Sequence, residues 1–118
     1  MAGIDSLNRN TDFRRLYNRG KSMVSPVLVT YAMPNRTDRC RVGITASKKI
    51  GNAVTRNRAR RVIRAAYMNL LPMASKGYDI VFVARGRTAF KKSTEIAVIM
   101  SQHLCELGII EAQTEEVL

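Results

Sequence analysis

The sequence predicts an α+β fold: one small, mainly antiparallel sheet with three helices, arranged as a two-layer sandwich. Three observations carry this. Helical and strand periodicities alternate along the chain in the order helix, strands, helix, strand, helix. One short segment, Tyr78–Ala84, is apolar on both faces, as a central strand must be. The length of 118 residues, 46% of them hydrophobic, suits one domain with one modest core.

The first helix is expected over residues 11–19. Asn10 is its N-cap and Gly20 its C′ residue, and Phe13, Leu16 and Tyr17 form an i, i+3, i+4 apolar stripe. Residues 26–33 read as a strand with Val27, Val29, Tyr31 and Met33 on one face and Leu28, Thr30 and Ala32 on the other. A polar turn over 34–39 leads to a second strand over 40–46, with Cys40, Val42, Ile44 and Ala46 sharing a face. Their closeness in sequence predicts an antiparallel hairpin. Gly51 and Asn52 break the chain before a long helix over 53–71, which Pro72 stops. The last helix runs from Ser93 or Thr94 to Leu107. Ile96, Ile99, Met100, His103, Leu104 and Leu107 form its stripe, and Gly108 caps it. Residues 109–118, with Glu111, Glu115 and Glu116, read as a frayed acidic tail.

Charge is the anomaly. Twenty basic residues against nine acidic give a net charge of +11, and Arg outnumbers Lys by more than two to one. Arg pairs bidentately with phosphate and stacks on bases, so the bias points to nucleic acid. No apolar run approaches the roughly 20 residues of a membrane span, and no signal peptide is read at the start. Cys40 and Cys105 lie in no metal or redox motif and read as small hydrophobes in a reducing cytoplasm.

The charge is concentrated and ordered. Residues 41–64 carry eight basic side chains (Arg41, Lys48, Lys49, Arg56, Arg58, Arg60, Arg61 and Arg64) and no acid. On a helix, Arg56, Arg60 and Arg64 stack on one side with Asn57 and Arg61, opposite Ala59, Val62, Ile63, Ala66 and Leu70. One side can dock on a core while the other offers a basic surface. A second candidate surface is aromatic. Phe13 and Tyr17 on the first helix could face Val29 and Tyr31, beside Arg14, Arg15, Arg19 and Lys21, a combination suited to single-stranded nucleic acid. Spacing alone favours a core role for those rings.

No catalytic constellation is legible. His103 lies on an apolar helix face, the acids are scattered (Asp5, Asp12, Asp38, Asp79, Glu95), and the glycines make no phosphate-binding loop. The residues alone describe a chain that binds a polyanion and is not expected to cut it unaided.

The run Arg41-Val-Gly-Ile-Thr-Ala-Ser-Lys-Lys-Ile-Gly-Asn-Ala-Val-Thr-Arg-Asn-Arg-Ala-Arg-Arg-Val-Ile-Arg64 resembles the signature of the protein subunit of bacterial ribonuclease P. Asp12-Phe13, Gly20-Lys21-Ser22, Val29 with Tyr31, and Ala84-Arg85 extend the resemblance to nearly the whole chain. It implies a protein that partners a large catalytic RNA in an endoribonuclease removing the 5′ leader of precursor tRNA. The RNA would supply the active site and its Mg2+. It implies that Lys48, Lys49, Asn52, Arg56, Asn57, Arg58, Arg60, Arg61 and Arg64 meet the catalytic RNA. Phe13, Tyr17, Val29 and Tyr31 would line the leader cleft, which reverses the core reading. It further implies a left-handed βαβ crossover, a cytoplasmic location, no membrane, no small-molecule substrate and no cofactor assignable to the protein, with protein-held metal left open. The chain ends acidic where family members often end basic. The alternatives are a structural RNA-binding protein without a processing role and a stand-alone nuclease.

Overall fold

The computed structural model describes residues 5–7, 9–70 and 77–110. Eight elements follow one another: β1 (Asp5–Ser6), α1 (Asn10–Arg19), β2 (Lys21–Val24), β3 (Leu28–Pro34), β4 (Arg41–Thr45), α2 (Ala53–Leu70), β5 (Tyr78–Ala84) and α3 (Ser93–Glu106). The strands form one mixed sheet in the order β1-β4-β5-β3-β2. β5 takes the middle, antiparallel to β3 and parallel to β4.

The expected hairpin is therefore wrong. β3 and β4 are neighbours in sequence but not in the sheet, because β5 lies between them. Only a strand apolar on both faces can occupy a position covered on both sides, and Ile80, Val81 and Phe82 are fully buried. The connection β4–α2–β5 joins two adjacent parallel strands, and it is for this crossover that the resemblance implies a left hand.

Strand alternation sends Leu28, Ala32, Val42, Ile80, Phe82 and Ala84 to one face, where they meet Ala59, Ile63, Ala66 and Tyr67 of α2 and Ile96, Met100 and Leu104 of α3. Each fully buried large side chain there contributes roughly 1.5–3 kcal/mol. This sheet and helix pair form the main two-layer core. α1 adds partial cover on the opposite face, where Leu16 is buried with Leu7 and Val81.

Local chemistry explains the boundaries. Asn52 caps α2: its Oδ1 accepts the Thr55 N–H at 2.9 Å, and its carbonyl accepts the Arg56 N–H at 2.9 Å. Gly108 takes a left-handed φ of 78° and closes α3, donating to the Cys105 carbonyl while Ile109 donates to that of Leu104. At the end of α1, Gly20 has an ordinary φ of −72°, so it is not a left-handed cap. It is needed for space: a Cβ there would lie 2.6 Å from the Leu16 carbonyl oxygen and 3.1 Å from that of Ala32. Ile109 and Ile110, expected in the frayed tail, are buried in the core. Pro72 and residues 111–118 lie outside the described residues.

Candidate nucleic-acid interface

α2 carries the basic residues as its periodicity predicts. Ala59, Ile63, Ala66, Tyr67 and Leu70 are buried, while Asn57, Arg58, Arg61 and Arg64 are exposed and Arg56 and Arg60 half-buried. Arg60 is held in place, donating to Asn57 Oδ1 at 3.1 Å and to the Ala46 carbonyl at 3.4 Å. Lys48 and Lys49 are exposed on a 3-10 turn just before the helix. Among the described residues none of these cations forms an ion pair with an acid. Their charge is uncompensated, which favours an anionic partner. Arg60 and Arg64 also line a cavity of about 170 Å³ with Ser6, Leu7, Gly43 and Tyr67, at the β1–β4 edge.

The aromatic residues gather on the other face of the sheet. Tyr17 and Tyr31 meet edge to face, ring centroids 5.0 Å apart at 74°. Tyr17 is 42% exposed, and Phe13, Val29 and Tyr31 are half-buried. Phe13 lies over Gly43, where a Cβ would come within 2.6 Å of its ring. Phe13 and Tyr31, with Met33 and Val83, pack on a small cluster of three buried side chains, Leu7, Leu16 and Val81, separate from the main core.

The two flanks of α1 differ. With Leu16 toward the sheet, Phe13 and Tyr17 project to one side of the helix axis and Asp12 and Arg15 to the other. Arg15 therefore does not join the rings as expected. Its Nη2 donates to Asp79 Oδ2 at 2.8 Å. Asp79, fully buried, also accepts a bidentate pair from Arg41 at 2.9 and 2.7 Å and a 2.9 Å bond from Asn35. Arg41, counted in the polyanion-binding stretch, is thus a structural partner on the strand. Burial pushes the Asp79 carboxyl up, but the Arg41 hydrogen bond, the Asn35 bond and the charges of Arg41 and Arg15 outweigh it and hold it below its ordinary value. The network was missed in the sequence, although a carboxylate inside a strand apolar on both faces must find partners.

His103 is buried, with Nδ1 2.8 Å from Thr30 Oγ1, and burial lowers its pKa. It is a structural residue of the α3–sheet interface. Cys105 is a free thiol, and Cys40 Sγ lies 3.4 Å from the Tyr67 hydroxyl. Among the described residues no three His, Cys, Asp or Glu side chains group as metal ligands. No helix among them is long and apolar enough to cross a membrane.

Comparison with known proteins identifies this architecture. The Ribonuclease P family model matches residues 1–107. The ribonuclease P protein component of Clostridioides difficile is 50% identical over 80 residues, 67% of this chain and 70% of that protein. That of Clostridium botulinum (strain Loch Maree) is 39% identical over 106 residues, 89% and 96% of the two chains. The RNase P protein of Staphylococcus aureus superposes with a TM-score of 0.78 at 30% identity, covering 90% of this chain and 97% of that one. The same protein has been solved as a mutant with defective mRNA degradation activity. The chain belongs to the ribonuclease P protein family, the protein component of a bacterial endoribonuclease.

Proposed function

We propose that this chain binds two RNAs on two surfaces: the catalytic RNA of ribonuclease P on α2 and the turn before it, and the 5′ leader of precursor tRNA on the aromatic face between α1 and β3. The uncompensated charge on α2 is the observation that carries the reading. Lys48, Lys49, Arg56, Arg58, Arg60, Arg61 and Arg64 would neutralise backbone phosphates. Asn57 adds hydrogen bonding, and Asn52 contributes by capping the helix that presents them. Phe13, Tyr17, Val29 and Tyr31 would stack or pack against leader bases, because a single strand exposes base faces that aromatic rings accept whatever the sequence.

The protein's part is to bind and orient. It brings leader and catalytic RNA together and lowers the repulsion between two polyanions. Mg2+ belongs to the holoenzyme and supplies phosphoryl-transfer chemistry on the RNA. The setting is cytoplasmic, with no membrane and no small-molecule substrate.

Reconstitution tests the proposal. Mixed with a bacterial ribonuclease P RNA at low Mg2+, the chain is expected to restore leader removal, and failure to do so would reject the processing role. A second reading comes from the mRNA degradation named for the S. aureus relative. RNA-free protein incubated with mRNA and Mg2+ distinguishes the two. No cleavage is expected here, and cleavage that tracks the purified protein would establish the second reading.

A further inference from the structure

We infer that Phe90 is a stacking platform for an unpaired base of the catalytic RNA, an inference that rests on the α2 reading above. Phe90 is 73% exposed, the most exposed aromatic ring among the described residues. A lone exposed apolar side chain is ordinary. Three features set this one apart.

The first is its electrostatic setting. The segment from Arg85 to Lys92 carries Arg85, Arg87, Lys91 and Lys92 and no acid. None of these cations forms an ion pair among the described residues. An aromatic ring among free cations matches a strand that presents bases and phosphates together.

The second is rigidity. Phe90 ends a 3-10 turn, Thr88–Phe90, that is pinned at its base. Thr88 is fully buried. Its hydroxyl donates to the Val27 carbonyl at 2.6 Å and accepts the Arg85 N–H at 2.8 Å. Ala89 is buried in the main core, and the Phe90 N–H donates to the Arg87 carbonyl at 3.1 Å. The backbone under the ring is already ordered, so stacking pays little further entropy there.

The third is position. β4 and β5 are adjacent and parallel, so the turns that follow them leave the same end of the sheet. Lys48 and Lys49 follow β4; Arg85, Arg87 and Phe90 follow β5. The Thr88–Phe90 turn packs against α2, across the sheet from the Tyr17–Tyr31 pair. The platform thus extends the α2 surface rather than the leader face, and its base should come from the RNA that α2 binds.

Affinity of the full chain for a bacterial ribonuclease P RNA, measured without tRNA across a salt series, tests this. Stacking releases no counterions, whereas each neutralised phosphate contributes about 0.7–0.9 to the log–log salt slope. Phe90→Ala and Phe90→Leu should weaken binding about 5- to 150-fold at every salt concentration with the slope unchanged. Phe90→Tyr should bind as the parent chain does, and Arg87→Ala should lower the slope. Melting temperatures should not move, since the ring is mostly in solvent. Parent-like binding by Phe90→Ala, full rescue by Phe90→Leu, or a loss seen only with leader-bearing tRNA would each overturn the inference. The triple variant Arg56→Ala, Arg60→Ala, Arg64→Ala separates this failure from that of the underlying reading. If it lowers the slope while Phe90→Ala binds normally, only the platform fails; if neither variant has an effect, both fail.

Discussion

Asp79→Asn removes one charge from the clamp that holds α1 to the sheet. Asp79 accepts three hydrogen bonds from arginines at 2.7–2.9 Å. Charge-assisted bonds contribute roughly 1.5–3 kcal/mol each, so their simple sum is about 5–9 kcal/mol. That sum is too large here. The Arg15 and Arg41 side chains are 38% and 36% exposed, so water can take up the donors that Asp79 releases. Asn also keeps one acceptor and nearly the same shape. A loss of about 2–3 kcal/mol remains, on the order of 10 °C in Tm for a domain of this size. The pH dependence supplies the control. The folded-state pKa of Asp79 is lowered, so its contribution is fully present above the ordinary value of 3.8 and is lost as pH falls through the folded value. Thermal melts from pH 7 to pH 3 should show the gap between parent and variant shrinking below about pH 4, because protonated Asp79 resembles Asn. A gap that is absent at pH 7, or constant down to pH 3, would refute the clamp. Loosening α1 should also weaken leader-dependent binding more than binding to the catalytic RNA.

Other consequences follow from the same geometry. Arg56→Ala, Arg60→Ala, Arg64→Ala should stay folded and lower the salt slope of catalytic-RNA binding by about 0.7–0.9 for each phosphate no longer neutralised, and a folded variant with an unchanged slope would leave this face merely solvated. Gly43→Ala puts a Cβ 2.6 Å from the Phe13 ring. It should cost about 1–3 kcal/mol in chemical denaturation and displace Phe13, reducing leader affinity. Acidification should begin to destabilise the fold below the ordinary histidine value of 6.5, because burial lowers the His103 pKa and neutral His103 is the form that folds; a His103→Gln chain should lack that step in its melting profile.

What the sequence disclosed depended on whether one segment held the whole signal. α2 was legible from its first residue and throughout its described length, because a single 3.6-residue period carries both Ala59-Ile63-Ala66 and Arg56-Arg60-Arg64. α3 was legible for the same reason, down to the glycine at 108. β2 was not, since Lys21, Ser22 and Val24 are exposed and an edge strand with one half-buried residue shows no alternation. The pairing of β3 with β5 lay in neither strand alone. β3 and β4 each read correctly, but which partner each takes depends on where β5 packs, some forty residues after the turn. The clamp was hidden because its members, Arg15, Asn35, Arg41 and Asp79, sit on four separate parts of the chain: Asp79 inside an apolar strand signals that partners must exist, but nothing local says which. The four residues expected at the leader face sit together, since Phe13–Tyr17 and Val29–Tyr31 each follow the period of their own element. Spacing favoured a core role for them, because a stripe that covers a core and one that meets a partner have the same period.

The two-surface account meets its most direct test in holoenzyme affinity for precursor tRNA with a five-nucleotide leader against mature tRNA with none. Tyr17→Ala and Tyr31→Ala holoenzymes should bind the leader-bearing substrate about 5- to 150-fold more weakly and mature tRNA as the parent does, with thermal melts showing that both variants remain folded. Equal losses on both substrates, or no loss on either, would contradict it and return these rings to a purely structural role.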